Sequence, residues 1–145
     1  MIVIEREVTV TADRGRVFDY LSDFRSTEEW DPGTVRTTLV SGDGGVGTTY
    51  HNTSRFNGRE TELTYVVQEH EQPERIMLRG ENRTIVAHDT MTLHSESHHT
   101  RVTYRAEFEL KGLARLAGPF LRKSFDRLGD EAEEGLRNAL GRLAA

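Results

Sequence analysis

The stretch from Thr34 to Leu110 alternates strand-like segments with short turns, and this feature most limits the folds open to the chain. Segments rich in Thr, Val, Tyr and Ile are separated by the turn sequences SGDGGVG, NGR, HEQPE, GENR and SESHHT, a pattern typical of β-strands. Connections this short join antiparallel neighbours, because parallel neighbours need a crossover of a dozen or more residues. The stretch therefore predicts an antiparallel meander of about six strands.

The segments on either side of this meander predict one more strand and several helices. Ile2, Ile4, Val8 and Val10 alternate as in a strand, and TADRGRVFDYLSDF then shows helical spacing. STEEW has a Ser26–Glu29 capping-box pattern and is followed by Pro32-Gly33, so we expect a second, short helix.

Beyond Lys111-Gly112 apolar residues recur with helical spacing to the end of the chain and form one stripe. Gly118-Pro119 is expected to kink this helix or to reset its first turns. Such a stripe is buried only against the apolar face of a sheet. Its members are Leu113, Leu116, Phe120, Leu121, Phe125, Leu128, Ala132, Leu136, Leu140 and Leu143.

Composition excludes several classes of function. A net charge of −5 without a long basic stripe argues against a nucleic-acid partner. The absence of cysteine excludes disulfides, thiolate metal sites and thiol nucleophiles. MIVIEREVTV lacks the apolar core of a signal peptide, and no apolar run reaches membrane-spanning length, so we expect a cytoplasmic protein.

Two motifs suggest cofactors, but their contexts do not fit. Gly42, Gly44 and Gly47 match G-x-G-x-x-G, yet a strand-like segment follows where a dinucleotide site needs a helix. His94, His98 and His99 fall on a strand end and a turn, where polar residues are expected anyway. We therefore predict no metal and no cofactor.

The predicted inner face of the sheet carries more polar groups than a sealed core tolerates, because an unpaired buried polar group costs several kcal/mol. A few polar groups in an apolar cavity are what a ligand site requires. The alternative is that Asn52 and Asp89 are paired within the protein. The predicted ligand-binding residues are Trp30, Tyr50, Asn52, Ser54, Tyr65, Leu78, Asp89, Tyr104, Phe120, Leu121 and Phe125.

Trp30, the only tryptophan, stands among Glu28, Glu29 and Asp31 just before the Pro32-Gly33 turn. A large aromatic side chain at this position either lines a cavity or only fills the core.

The order β-α-α-β-β-β-β-β-β-α resembles the START-like, or SRPBCC, superfamily and its polyketide cyclase/dehydrase-like members. The resemblance rests on VFDYLSDF with EWDPG, GGVGTTY, QPER, HTRVTYRAEFELKG and the closing helix. It implies a single domain over residues 1–145 with the α+β helix-grip fold, in which a curved seven-stranded antiparallel sheet wraps a long C-terminal helix. It also implies a cavity for apolar or aromatic molecules between sheet and helix, with Trp30 at its mouth and the charged neighbours of Trp30 pointing to water.

Two functions remain open at this point. One is binding of a small hydrophobic or aromatic molecule, either lipid-like or polyketide-like. The alternative is a polyketide cyclase/dehydratase acting in the same cavity. The candidate acids or bases for it are Asp89 and the phenols of Tyr50, Tyr65 and Tyr104, with no family catalytic motif to support them. We expect a monomer or homodimer without stable membrane association. A surface role for LARLAGPFLRKSFDRL at a membrane is the lesser alternative.

Overall fold

The computed structural model describes residues 1–143, so the last two residues of the predicted domain, 144–145, lie outside the described residues. The helices are α1 (Arg14–Ser22), α2 (Thr27–Trp30) and α3 (Gly118–Leu143), with short 3₁₀ helices at Phe24–Ser26 and Gly112–Ala117. The strands are β1 (Ile2–Val10), β2 (Thr34–Ser41), β3 (Thr49–Phe56), β4 (Arg59–Glu71), β5 (Arg75–Glu81), β6 (Ile85–Glu96) and β7 (His99–Leu110).

The seven strands form one antiparallel sheet in the order β1-β7-β6-β5-β4-β3-β2. Strands β2 to β7 are a meander, as the short turns predict. Strand β1 crosses to the far side and pairs with β7, with Ile2 opposite Phe108 and Val10 opposite Thr100. The predicted helix-grip architecture is confirmed.

The inner face of the sheet follows the alternation of the sequence. Buried residues recur at every second position, because successive strand side chains point to opposite faces. On β7 the buried inner residues are Val102, Tyr104, Ala106 and Phe108, and on β6 they are Ala87, Met91 and Leu93.

Helix α3 reaches the sheet mainly at one edge. It packs closely on β1 and α2, whereas its backbone makes few close approaches to β3 through β6. A Cβ at Gly135 would collide with the backbone carbonyl of Trp30, so this glycine permits the contact between α3 and α2. The sheet and the helix therefore diverge on the β3–β6 side and leave space between them.

The predicted capping box in α2 is wrong. Ser26 makes no side-chain cap; its Oγ instead accepts a hydrogen bond from the indole Nε1 of Trp30 at 3.2 Å. Glu29, the expected partner of the box, accepts a hydrogen bond of 2.6 Å from the hydroxyl of Tyr20. Each side chain thus has a partner other than the backbone of the helix start.

The start of the predicted C-terminal stripe is also wrong. Residues 112–117 form a 3₁₀ helix, in which side chains three apart lie above one another. Leu113 and Leu116 therefore share the outer face, with exposed fractions of 86% and 73%, and Phe120 is 86% exposed. Burial of α3 begins at Phe125. Within residues 1–143, no helix combines the length and apolar composition required to cross a membrane.

Candidate ligand-binding cavity

A cavity of about 290 Å³ occupies the space between the sheet and α3, at the small end of the range for ligand pockets. The structure brings eight of the predicted site residues to its wall and adds others that the sequence reasoning missed. The predicted residues on the wall are Trp30, Asn52, Ser54, Tyr65, Asp89, Tyr104, Leu121 and Phe125.

Three predicted residues do not line the cavity. Tyr50 is buried against the ring of Phe24, with ring centroids 5.7 Å apart. Leu78 is buried in the core beside the backbone of Asp89, its partner in the register of β5 and β6. Phe120 is on the exposed outer surface, because the helix preceding it has a different period from the one assumed.

The cavity wall changes from polar to apolar along the strands. Towards the middle of each strand it carries Asn52, Tyr65, Asp89 and Tyr104. Towards the end covered by the 3₁₀ helix Gly112–Ala117 it becomes largely apolar and aromatic. The wall residues there include Phe56, Ile85, Phe108, Leu110, Ala114, Ala117, Leu121 and Phe125. The arrangement suits a molecule with one polar group on an apolar body.

Aromatic rings pack around both parts of the wall. Trp30 is 4% exposed and contacts Tyr104 edge to face, with centroids 5.6 Å apart. Trp30 is therefore a buried residue of the cavity wall. In the apolar part, the ring of Phe125 packs against those of Phe56 and Phe108, with ring centroids 4.7 and 4.6 Å apart.

Asn52 belongs to a directional chain of hydrogen bonds. Ser54 Oγ donates to Asn52 Oδ1 at 2.7 Å, and Asn52 Nδ2 donates to Thr37 Oγ1 at 2.9 Å. Thr27 Oγ1 gives its single proton to the carbonyl of Phe24 at 2.8 Å, so Thr37 must be the donor in the 2.6 Å bond between the two threonine hydroxyls. The chain joins β3, β2 and the short helices, so Asn52 has structural partners.

The carboxyl group of Asp89, unlike the amide of Asn52, has one oxygen that is not paired within the described part of the protein. Its Oδ1 is buried and has no hydrogen-bond partner within residues 1–143, although the residue keeps some accessible surface, which lines the cavity. Burial, and then the charge of Asp31, raise the pKa of Asp89 to about 7, while hydrogen bonding from the phenols of Tyr65 and Tyr104 to the carboxyl group partly lowers it. Burial likewise raises the pKa of both tyrosines well above its ordinary value.

Asp31 is the main residue that sequence reasoning missed. It lines the cavity, contrary to the expectation that it points to water. Its carboxylate accepts hydrogen bonds from Gly33 N at 3.1 Å and Thr34 Oγ1 at 3.0 Å, while burial raises its pKa. The Asp-Pro-Gly sequence was the available signal, because Asp side chains commonly accept a hydrogen bond from the backbone two residues on.

No arginine, lysine or histidine lies on the described cavity wall. Among residues 1–143 there is also no group of three or more His, Cys, Asp or Glu residues placed to hold a metal ion. The wall combines two carboxyl groups, two phenols, several neutral amide and hydroxyl side chains and a larger apolar part. Chemically, it can donate or accept hydrogen bonds and exchange a proton near neutral pH, but it offers no positive charge.

The fold and this internal cavity define a helix-grip protein of the START-like type. The whole chain, residues 1–145, matches the model of the family described as polyketide cyclase/dehydrase and lipid transport, and the protein belongs to that family. Comparison with curated protein sequences finds no match.

Solved structures support the fold at low sequence identity. A START superfamily protein from Mycobacterium smegmatis is 13% identical, with a TM-score of 0.81, over 97% of this chain and 98% of that one. The Zhui aromatase/cyclase from Streptomyces sp. R1128 is 14% identical, with a TM-score of 0.78, over 98% of this chain and 92% of that one. These likenesses establish the fold and leave the ligand open.

Proposed function

We propose that this protein binds a small, mainly apolar or aromatic molecule in the cavity, and that Asp89 contacts a polar group of that molecule. The observation that carries the proposal is the buried Oδ1 of Asp89, which has no partner in the described residues. An unpaired buried polar atom is costly, and such atoms are uncommon in folded proteins. A bound molecule that supplies a hydrogen bond would offset this cost.

The neighbouring polar residues make this argument specific. The side chains of Asn52 and Ser54, on the same wall, are paired within the protein. Asp89 is the wall residue with a buried oxygen left unpaired. With two carboxyl groups and no cation among the described wall residues, a carboxylate ligand would be disfavoured. The favoured ligand therefore carries a neutral or cationic polar group, such as a hydroxyl, carbonyl or amine.

The test uses an apolar fluorescent probe and substitutions of Ser54. Ser54→Phe places bulk in the cavity and should abolish probe uptake, whereas a cavity accepts that bulk without the strain it causes in a packed core. The unmodified protein should bind the probe, with quenching of the fluorescence of Trp30, which lies on the cavity wall.

Ser54→Ala is the matched control. It removes the same hydrogen bond to Asn52, worth about 1 kcal/mol, but adds no bulk. The melting temperature should fall slightly and by a similar amount in both variants. Only Ser54→Phe should prevent binding of the probe. If the unmodified protein takes up no probe and Ser54→Phe unfolds it, the binding proposal fails.

A second candidate function is a polyketide cyclase/dehydratase-type reaction in the same cavity, favoured by the pKa of about 7 for Asp89. A carboxyl that titrates near neutral pH can both accept and return a proton at a bound carbonyl compound. Asp89→Asn should then remove turnover of a cyclisable poly-β-keto substrate and leave its affinity largely intact. Unchanged turnover would leave Asp89 with a role in binding alone.

A further inference from the structure

Residues 113–121 cover the apolar end of the cavity, and three large apolar side chains of this segment project into solvent. Leu113, Leu116 and Phe120 are 86%, 73% and 86% exposed. Side chains from the other side of the same segment, those of Ala114, Ala117 and Leu121, line the cavity. The segment is therefore a thin cover with one face to the ligand space and the other to the surroundings. Clustered exposed apolar side chains mark interaction sites more often than scattered ones do.

The charge around these side chains is positive in a protein that is acidic overall. Residues 111–127 contain five lysines and arginines and one acidic residue, whereas the whole chain carries a net charge of −5. Lys111 is held by Glu81 at 2.8 Å. Arg115, Arg122 and Lys123 are exposed and form no ion pair within residues 1–143.

We propose that this outer face, which comprises Leu113, Leu116 and Phe120 with Arg115, Arg122 and Lys123, docks reversibly on an anionic lipid surface. Apolar side chains flanked by basic ones are the pattern by which interfacial helices bind such surfaces, the first entering the acyl boundary and the second meeting the headgroups. The geometry points to a bilayer at the cover of the cavity, where an apolar ligand is exchanged without crossing water.

A second copy of the chain fits this face less well. A twofold contact would set the face against itself and bring Arg115, Arg122 and Lys123 of both copies together, which like charges oppose. A nucleic acid would satisfy the charges, but its phosphate backbone offers nothing to three projecting apolar side chains. An anionic lipid surface accommodates both features.

The cover is also weakly held. None of the residues 112–117 is buried, and a 3₁₀ helix of six residues is longer than the three or four residues such helices usually sustain. Its backbone is tied at the start, where Lys111 N donates to Thr84 O at 2.8 Å and Ala114 N donates to Lys111 O at 3.1 Å. A segment with so little buried contact has low local stability and is able to rearrange on docking.

The experiment is flotation of the full chain with vesicles of phosphatidylcholine alone and of phosphatidylcholine with phosphatidylglycerol. We expect binding to the anionic vesicles only, lost as salt rises from about 0.1 M to about 0.5 M, because screening shortens the reach of the basic side chains. Phe120→Glu should lower the partition coefficient at least tenfold, since it puts a negative charge where an apolar side chain inserts.

The matched control is Val46→Glu, which makes a comparable change at an apolar residue 69% exposed in the turn between β2 and β3. It should bind anionic vesicles within about twofold of the unmodified protein. Equal loss in both variants, or no vesicle binding by the unmodified protein, overturns the proposal. So does a concentration-dependent dimer that Phe120→Glu abolishes, which would assign the face to a second copy.

Docking does not depend on the proposed ligand. Ser54→Phe, which fills the cavity, should still bind anionic vesicles, while Phe120→Glu should still take up an apolar probe, because Phe120 is outside the cavity. Failure of the docking proposal and failure of the binding proposal therefore give different results. Melting temperatures of both variants check that the fold is retained.

Discussion

The ring of Tyr65 lies directly over Gly80, its partner in the register of β4 and β5. A Cβ built at Gly80 would be 2.5 Å from Cε1 of the tyrosine and 2.7 Å from its Cζ. The glycine thus provides the space in which the phenol lies across β5 towards Asp89 on β6. The position of the Tyr65 phenol on the cavity wall therefore depends on the absence of a side chain at Gly80 on the neighbouring strand.

Gly80→Ala should therefore displace the ring of Tyr65 and lower the free energy of unfolding by about 1–3 kcal/mol, the usual cost of overpacking. Chemical denaturation measures this change. In a Tyr65→Ala background the same substitution should cost at least about 1 kcal/mol less, because the obstructing ring is gone. Equal costs in both backgrounds would mean that the ring and Gly80 are not coupled.

Gly135→Ala should destabilise the protein by about 2 kcal/mol or more, because the new Cβ meets the backbone carbonyl of Trp30, which cannot rotate away as a side chain can. Gly141→Ala is the control in the same helix, where nothing lies within 4 Å of the added Cβ. It should gain up to about 1 kcal/mol from better helix propensity. Urea unfolding separates the two, and a stabilised Gly135→Ala would contradict the close packing of α2 on α3.

Thr37→Val should cost about 1–3 kcal/mol at nearly constant volume, because it leaves Thr27 and Asn52 without the hydroxyl that each contacts. Thr38→Val, at the next residue of β2 and on the opposite face, makes the same change away from the chain of hydrogen bonds. Thermal unfolding should show little change in this control. Similar losses in both variants would show that the hydrogen-bond chain adds nothing beyond strand propensity.

Asp89→Asn should make unfolding less dependent on pH. Burial raises the pKa of Asp89 from 3.8 to about 7 in the folded protein. Between these two pH values the folded state therefore keeps a proton on the carboxyl group that the unfolded state has released. The stability associated with the protonated carboxyl is full below about pH 4 and is lost as pH rises through about 7. The variant should match the unmodified protein near pH 4 and exceed it by on the order of a few kcal/mol above pH 7.

Ser54→Ala, which changes no ionisable group, supplies the reference for that series. Its stability difference from the unmodified protein should stay constant between pH 4 and pH 8. If Asp89→Asn is also parallel to the unmodified protein across this range, the carboxyl is not buried in the way the cavity geometry implies.

The strands could be predicted from the sequence because alternation with a period of two is a local property. The inner-face assignment of Asn52, Tyr65, Asp89 and Tyr104 follows from it, and all four line the cavity. Antiparallel pairing followed from the short turns.

The remaining errors concern features that local patterns do not contain. The stripe through Leu113 and Leu116 assumed 3.6 residues per turn, and the 3₁₀ period of three turned both side chains outward. The place of Asp31 on the cavity wall depends on where the turn after Trp30 meets the sheet and α3. Such contacts between distant segments are not encoded by the spacing of nearby residues.

The pairing of β1 with β7 has a consequence for how the chain folds. Val8 lies opposite Val102, and Ile2 lies opposite Phe108, so one edge of the sheet is formed by pairing segments about a hundred residues apart in sequence. Contacts this distant in sequence are slow to form, because a large loop must be ordered before they stabilise anything. During synthesis β1 has no strand to pair with until β7 has left the ribosome. Its apolar side chains, including Ile4 and Val8, are then open to aggregation or to a chaperone.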